Sequence, residues 1–274
     1  MSRTISPNCT YLILFLLCFG FIIYFLLNRN MTIPNGHDSI QTISHNGQHH
    51  HYSSLNNTSH RQIFLDFGCT DAIAIKVFLG LKGVSKDTAE NGAAKSFEGK
   101  GADGLWEIYC VEAVPRYEQV LNKTKKELLT VSSVKSFTPF TGIAVSNKDG
   151  KTELIYDKAN GGAEQTSWGT SIIPEKRTYK GRGIDIKTYD IVTFMRDIVQ
   201  AKQSDEVICK MDIEGSEYDV LRRIFTSGII KLFDELYVEF HYNRKQFKNM
   251  FHMPHSCVQW MLKDVKDLKY HPWN

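Results

Sequence analysis

The stretch EVICKMDIEGSEYDVLRRI, which spans Glu206–Ile224, joins two periodic patterns across a glycine turn. Residues 206–212 form a mostly apolar run that predicts a buried strand. From Glu217 to Thr226 the apolar residues recur at the spacing of a helix, and Gly228 follows as a helix-ending residue. A buried strand that leads directly into a helix is the repeating unit of a parallel sheet covered by helices. The stretch therefore predicts an α/β fold.

The same alternation of strand and helix patterns extends across the chain from Arg61 onward. It predicts a mostly parallel, doubly wound sheet with helices on both faces. We interpret Lys82–Gly104, which is rich in Gly, Lys and Ala, as an inserted surface loop. The predicted strands are Ile63–Phe67, Trp106–Val111, Glu206–Asp212 and Glu235–Phe240, with extended segments at Val134–Val145 and Thr152–Tyr156; the predicted helices are Ala72–Leu81, Arg116–Leu128, Tyr189–Gln200, Glu217–Thr226 and Ser256–Val265.

An uninterrupted apolar run of 17 residues, Tyr11–Leu27, lies near the amino terminus, with Arg3 before it and Arg29 after it. A helix of this length spans roughly 25 Å, which is at the short end of what crosses a bilayer. A cleaved signal peptide is the alternative, but its apolar region is about 7 to 15 residues long and ends in small residues at a cleavage site. We therefore interpret residues 11–27 as an uncleaved transmembrane anchor that follows a short tail of residues 1–10.

Residues 28–60 are polar and carry too few large apolar side chains to offset the entropy of ordering them. We interpret them as a disordered stem before a catalytic domain at residues 61–274. The charges before the anchor favour an amino terminus in the cytosol. Together with the short anchor, four glycosylation tripeptides favour a single-pass type II protein of the Golgi or endoplasmic reticulum. These tripeptides begin at Asn30, Asn56, Asn57 and Asn122.

The cysteines and the net charge limit the remaining possibilities. Six cysteines are present, none in a C-x-x-C pattern, so a zinc ribbon is not supported. We expect the four outside the anchor region, Cys69, Cys110, Cys209 and Cys257, to be apolar core thiols rather than a disulfide framework. The formal charge of +3 is spread along the chain without a basic block, so nucleic acid is not an expected partner.

Four predicted strands end in an acid, namely Asp66, Glu112, Asp212 and Glu239. Ligands of a doubly wound sheet bind beyond the carboxyl ends of its strands, so these acids predict a site. Gly68, in the loop after the first strand, lets the backbone pass close to a ligand. Glu112 can accept hydrogen bonds from both ribose hydroxyls of an adenosine-bearing cofactor. The carboxylates around Asp212 repel one another and are costly to desolvate, which also indicates a site.

The run KMDIEGSEYDVL at Lys210–Leu221 resembles the signature of the FkbM-type methyltransferases. Other segments follow in that family's order over about Arg61–His241. They are FLDFG at Phe64–Gly68, YCVEAVP at Tyr109–Pro115, IAVSNKDG at Ile143–Gly150, GTSI at Gly169–Ile172 and ELYVEFH at Glu235–His241. The resemblance implies a Rossmann-like fold of the methyltransferase type. It also implies the transfer of a methyl group from S-adenosylmethionine, usually to a hydroxyl oxygen.

The resemblance also implies roles for individual residues. Asp66 and Gly68 would border the methionine part of the cofactor, and Glu112 would hold the ribose. Asp212 and Glu214 would face the reacting end of the cofactor. Three residues would lie near the adenine: Ala144, Val145 and Asn147. The family's loop usually continues as Gly-Ala-Asn-x-Gly after the first aspartate, and this chain departs from that pattern at Cys69, Thr70 and Ala72.

Methyl transfer to a hydroxyl requires a group that accepts a proton, and Asp212, Glu214 and His241 are the candidates. We expect His241 or Asp212 to serve as the base, with the acceptor a hydroxyl on a glycan or small molecule and with no metal assigned. The alternative from another class is a type II membrane glycosyltransferase, in which Asp212 and Glu214 hold a divalent ion. A catalytically inactive module on the same fold is the third interpretation.

Overall fold

The computed structural model of the protein describes residues 60–83, 92–155, 170–173, 183–241 and 255–273. All of them fall within one unit, Thr58–Asn274. The predicted tail and anchor, and the predicted stem apart from His60, lie outside the described residues. None of the helices within these ranges is long and apolar enough to cross a membrane.

The main sheet has six strands in the order β3-β2-β1-β7-β8-β9, and every neighbouring pair is parallel. This confirms the predicted α/β fold with a mostly parallel sheet. A second sheet, β4-β6-β5, contains one parallel and one antiparallel pair. The strands are β1 Gln62–Phe67, β2 Trp106–Glu112, β3 Val134–Thr141, β4 Ile143–Ser146, β5 Gly150–Leu154, β6 Ile184–Asp190, β7 Glu206–Met211, β8 Glu235–Val238 and β9 Lys269–Pro272.

The order of the main sheet reverses between β1 and β7. From β1 the chain moves outward to β2 and β3, and from β7 it moves outward in the opposite direction to β8 and β9. Connections on the two sides of such a switch point diverge and leave a crevice beyond the carboxyl ends of the two central strands. Asp66 in β1 and Asp212 directly after β7 therefore lie at the place where this fold binds ligands.

Helices cover both faces of the main sheet, as a doubly wound fold requires. The described helices are α1 Ile73–Phe78, α2 Gly92–Phe97, α3 Glu118–Leu128, α4 Ile191–Thr193, α5 Glu217–Ser227 and α6 His255–Asp264. A π-helical segment, Phe194–Val199, continues α4. Two short 3-10 helices, Pro115–Tyr117 and Ile229–Leu232, precede α3 and follow α5.

Alternate residues of the central strands pack into two separate cores. Ile63, Leu65 and Phe67 of β1 belong to one core, together with buried residues of α4, α5 and α6. Phe64 belongs to the other core, together with buried residues of α1, α2 and α3. This division follows from the period of two along a strand, which sends successive side chains to opposite faces.

Two parts of the predicted organisation are wrong. The segment interpreted as an inserted surface loop contains α2, whose Phe97 is fully buried against Phe64 and Phe78. Residues 184–190, which no predicted element covers apart from the start of a helix at Tyr189, form β6. The helix itself begins later, where the Asp190 side chain accepts a hydrogen bond from the Val192 backbone N–H.

Candidate functional site

A cavity of about 610 Å³ opens at the carboxyl ends of β1, β2 and β7. Its walls include the loop after β1, the end of β2, the residues of β4 and the acidic turn after β7. Trp273, directly after β9, also lines it. The volume is in the range of small-molecule and cofactor sites, and the position is the one expected for an α/β fold.

The loop between β1 and α1 crosses the acidic turn at very short range. A Cβ atom added at Gly68 would lie 1.9 Å from the backbone oxygen of Asp212, and the φ of Gly68 is +83°. Only glycine fits there without moving the backbone. Two later loop residues, Thr70 (φ 44°) and Ala72 (φ 63°), also have left-handed conformations. Position 72 is one at which the family pattern has glycine, and this chain keeps the glycine-type backbone with an alanine.

A disulfide joins this loop to the second strand. Cys69 and Cys110 are bonded, with their Cα atoms 5.7 Å apart, and both side chains are buried. The expectation that these two cysteines are thiols was therefore wrong. Their separation of 41 residues hides the pairing in the sequence, whereas the parallel alignment of β1 and β2 brings Cys110 beside Asp66. Cys209 is a buried thiol, as expected, and Cys257 is also not disulfide-bonded.

Glu112, predicted to hold the ribose, is the last residue of β2. One carboxylate oxygen accepts from the Val114 backbone N–H at 2.8 Å, and the other accepts from the Thr70 N–H at 2.8 Å. The second bond ties the end of β2 to the loop after β1. Burial raises the pKa of Glu112 to about 7, although both backbone donors act in the opposite direction. Glu112 lines the cavity while only 4% of its surface is exposed.

Asp66 differs from the other strand-end acids because it does not line the cavity. It is fully buried, and neither carboxylate oxygen has a hydrogen-bond partner among the described residues. The Lys210 Nζ atom, on the adjacent position of β7, lies 3.6 Å from one of these oxygens. Burial raises the pKa of Asp66 to about 6, and Lys210 limits the rise.

Lys210 connects the loop, the strands and the acidic turn. Its Nζ atom donates to the Gly68 carbonyl at 3.4 Å and to Asp212 at 3.3 Å. Burial lowers the pKa of Lys210, but Asp212 and Asp66 outweigh that effect and hold the pKa above its ordinary value. The ammonium group therefore stays charged and partly neutralises the acids that surround it.

His241 stands at the centre of a cluster of carboxylates. Its Nδ1 atom lies 2.9 Å from the fully buried Glu217, which also accepts from the backbone N–H groups of Ile213 and Gly215. Its Nε2 atom faces three more carboxylates at distances too long for good hydrogen bonds. These are Glu214 at 3.5 Å, Glu239 at 3.6 Å and Asp212 at 3.7 Å.

The electrostatics of this cluster argue against His241 as the base. Burial lowers the pKa of His241, but the hydrogen bond to Glu217 and the neighbouring carboxylates reverse the effect and raise it to about 9. At neutral pH the imidazole is therefore protonated and has no lone pair to offer. Burial and the charge of Asp212 raise the pKa of Glu239 to about 7. Glu239 also lines the cavity, with 34% of its side chain exposed against 6% for His241.

Part of the cavity lining is apolar. Ala144 and Val145 of β4 line the cavity, whereas Asn147, the third residue predicted near the adenine, lies outside its lining and contacts the Ser146 hydroxyl at 3.5 Å. Thr170 also lines the cavity, and its buried hydroxyl oxygen has no hydrogen-bond partner within the part of the chain that the structure describes. A polar atom of this kind suits a bound ligand that supplies the missing bond.

Most of the predicted site residues therefore meet at one cavity. Gly68, Glu112, Asp212, Glu214 and His241 line it together with Ala144 and Val145, while Asp66 and Asn147 do not. Lys210, Glu217 and Thr170 were not predicted as site residues, although all three lie in segments that carry the family resemblance. In the sequence, Lys210 is simply one residue of a predicted buried strand. Its acidic neighbours become apparent only from the pairing of β1 with β7.

Comparison with known proteins identifies the family of the chain. The profile of the Methyltransferase FkbM domain matches residues 88–270, about two thirds of the chain. The match includes Glu112, Asp212 and His241 and begins after Gly68. No curated protein and no solved structure matches the chain. The profile match confirms the resemblance found in the sequence, and the matched family is one of methyltransferases rather than of glycosyltransferases. The chain belongs to the FkbM methyltransferase family.

Proposed function

We propose that the protein is an S-adenosylmethionine-dependent methyltransferase that acts on a hydroxyl oxygen of a glycan or small molecule. The observation that carries the proposal is the placement of Glu112 and the acidic turn at the same cavity. Such a cofactor needs a carboxylate that can bind its ribose hydroxyls and a cluster of residues that can face its reacting centre.

The residues present fit this cofactor in four respects. Glu112 has a carboxylate at the cavity wall that can accept from ribose hydroxyls, and Ala144 and Val145 offer an apolar surface for a base. The unpartnered Thr170 hydroxyl offers a further polar contact. The acids around His241 carry more negative charge than Lys210 and the protonated His241 balance, which suits a cationic sulfonium.

When bound, S-adenosylmethionine supplies a methyl group whose bond to sulfur breaks as the bond to the acceptor oxygen forms. The chain's own residues have to align the acceptor with the cofactor, exclude water and accept the acceptor's proton. Glu239 is the best-placed base, since its carboxylate is the most exposed of those around His241. His241 acts as a positioning residue that holds the carboxylates together.

Calorimetric titration of the full chain with S-adenosylhomocysteine tests the proposal. We expect one binding site per chain and at least tenfold weaker binding for Glu112→Gln, which keeps the shape of the side chain and removes its charge. Glu118→Gln is the matched control, because Glu118 is exposed at the start of α3 and does not line the cavity. We expect this control to bind like the unchanged protein.

Two other results would decide against the proposal. Binding of a nucleotide sugar with Mn²⁺, without binding of S-adenosylhomocysteine, would favour a glycosyltransferase. Binding of neither would favour an inactive module. If S-adenosylhomocysteine binds, an assay that follows radioactive methyl transfer should find that Glu239→Gln lowers turnover at least a hundredfold, in line with the loss of a general base, while cofactor affinity is unchanged.

We further propose that residues 11–27 anchor the protein in a membrane and that the catalytic domain faces the lumen of the Golgi or endoplasmic reticulum. The apolar run supports the anchor. The Cys69–Cys110 disulfide supports the lumenal side, since disulfides persist in oxidising compartments and are rare in the cytosol. A lumenal domain would meet glycans as acceptors.

A further inference from the structure

The side chains of Asp212, Glu214 and His241 present one possible metal ligand each, and these ligand atoms all lie within 4.8 Å of one another. Asp212 follows β7, Glu214 lies in the turn before α5, and His241 follows β8. Three separate backbone positions thus converge on one point at the cavity wall.

The orientation of His241 is the observation that distinguishes this group from an ordinary acidic surface. A histidine that binds a metal almost always donates its other ring N–H to a carboxylate, a backbone carbonyl or water, which fixes the ring. Here Nδ1 lies 2.9 Å from Glu217, whose side chain is fully buried. The Nε2 atom, on a side chain that is 6% exposed, then points at the carboxylates of Asp212 and Glu214.

The distances also suit an ion between these groups. Nε2 lies 3.5 Å from Glu214 and 3.7 Å from Asp212, which is too long for good hydrogen bonds. Ligands that surround one ion at about 2.0–2.2 Å are separated from each other by roughly 3 to 4 Å. Small movements of the two carboxylates would therefore bring all three groups within bonding distance of one ion, which would displace the proton on Nε2.

The local charge favours a cation as well. Asp212, Glu214 and Glu239 meet at this wall, and Lys210 is the one lysine that the described residues place against them. Lys210 contacts Asp212 through its other carboxylate oxygen, Oδ2, and leaves Oδ1 facing His241. The oxygen that would bind an ion is therefore not the one that binds the lysine.

We propose that Asp212, Glu214 and His241 form a binding site for a divalent cation of the Mn²⁺ class. Two carboxylates and one imidazole suit Mn²⁺ better than Mg²⁺, which prefers oxygen ligands, and three protein ligands leave positions open toward the cavity. The inference rests on the proposed function only for the role of the ion, which would hold an acceptor oxygen beside the reacting end of the cofactor. The binding itself does not depend on that role.

The test uses the full chain, freed of metals with a chelator and without cofactor or acceptor. Mn²⁺ is added, and the signal of the free ion is followed by electron paramagnetic resonance. We expect one saturable site per chain and an increase in Kd of at least tenfold for Glu214→Gln and for Asp212→Asn. Asp219→Asn is the matched control, because Asp219 is an exposed acid on the neighbouring α5 and pairs with Arg222. We expect it to leave the Kd unchanged.

The result that would overturn the proposal is the absence of saturable Mn²⁺ binding, since the cluster then holds only a protonated histidine. Binding that neither substitution weakens would overturn it equally. Thermal melting of each variant shows whether a lost site reflects a lost fold, and a variant that melts early is replaced by Glu214→Ala. Because the titration contains no cofactor, its outcome is separate from that of the S-adenosylhomocysteine titration.

Discussion

Lys210 and Asp66 form a buried ion pair on two neighbouring strands, and Lys210 also contacts the more exposed Asp212. Removing one member of such a pair leaves the other charge buried without compensation, which costs about 3 to 5 kcal/mol. We expect Lys210→Met to lower the free energy of unfolding by about 3 kcal/mol, measured by urea denaturation at pH 8, well above the pKa of about 6 that Asp66 has beside Lys210.

The double variant Lys210→Met/Asp66→Asn separates this explanation from lost packing. If the cost comes from the unpaired carboxylate, the double variant should recover a large part of the stability that the single variant loses. At pH 5 the single variant should also recover, because Asp66 is then protonated. Equal losses at both pH values, or additive losses in the double variant, would show that the pair is not the cause.

The raised pKa of Glu112 gives the proposed cofactor site a pH dependence. With a pKa of about 7, Glu112 is mostly protonated at pH 6 and mostly ionised at pH 8. The ionised form accepts two hydroxyl donors, so cofactor binding should strengthen as the pH rises through 7. We expect about tenfold weaker binding of S-adenosylhomocysteine at pH 6 than at pH 8, which is the loss of the ionised fraction. Glu112→Gln should bind weakly with no such slope, and an equal slope in both proteins would contradict the assignment.

Individual residues also mark the limit of what the sequence could predict about the site. The acids at strand ends could be found because a strand end is a local pattern. The charge state of His241 could not, because it depends on Glu217, Glu214 and Asp212, which are brought together by the turn after β7 and by the neighbouring β8. An imidazole without such neighbours has an ordinary pKa that suits a base, but in the folded protein these carboxylates raise the pKa of His241.

At the scale of secondary structure, the Cys69–Cys110 disulfide fixes the loop after β1 to β2. Closing a loop of this length removes entropy from the unfolded chain worth about 4 kcal/mol. We expect reduction to lower the free energy of unfolding by about this amount, measured by guanidinium denaturation with and without a reductant. It should also weaken S-adenosylhomocysteine binding, because Thr70 and Gly68 belong to the loop that the disulfide holds.

The variant Cys69→Ser/Cys110→Ser provides the comparison for this prediction. It should have the stability of the reduced protein, and adding a reductant should change nothing further. A reductant effect that persists in the variant would have to come from another part of the chain. If the variant is as stable as the oxidised protein, the disulfide does not stabilise the fold.

The elements that the sequence predicted well are those with strong periodic patterns. β1, β2, β7 and α5 lie within one or two residues of their predicted positions, and Gly228 ends α5 with a φ of 77° as expected. One element that the sequence did not predict, β9, lacks such a pattern. β9, Lys269–Pro272, is polar, contains a proline and lies at the sheet edge, where proline is tolerated.

β6 was missed for a different reason. Its sequence, IDIKTYD, alternates apolar and polar residues as a strand should, and Ile186 and Thr188 are buried. However, it runs directly into α4, so that Tyr189 also fits the start of the helix pattern. The boundary is set by the Asp190 cap and by pairing with β4 and β5. Such contacts are not visible in a local window of sequence.

At the scale of the whole molecule, the sheet order explains why distant segments form one site. β1 and β7 are separated by well over a hundred residues, yet they pair in register from Gln62 with Glu206 to Phe67 with Met211. This pairing brings Gly68 against Asp212 and Asp66 against Lys210. The alternation of strands and helices predicted the class of fold, but it could not say which strands are neighbours.

Two features bear on where the protein lies in the cell, namely the disulfide and the apolar run near the amino terminus. A disulfide that ties the loop after β1 to β2 would not persist in a reducing cytosol. An anchor at residues 11–27 with a cytosolic amino terminus would place the domain on the oxidising side. The two features, one structural and one from sequence, thus predict the same orientation.

Synthesis of the full chain in the presence of microsomes tests this orientation. We expect the chain to stay in the membrane pellet after alkaline carbonate extraction, and the catalytic domain to resist added protease until detergent is present. Leu17→Arg places a charge near the middle of the apolar run and costs about 3 kcal/mol for insertion, so it should reduce the pelleted fraction. Thr42→Arg, outside the run, is the control and should not. A domain that is pelleted but digested without detergent would reverse the orientation, and the Cys69–Cys110 bond would then have to form on the cytosolic side, where it is not expected to last.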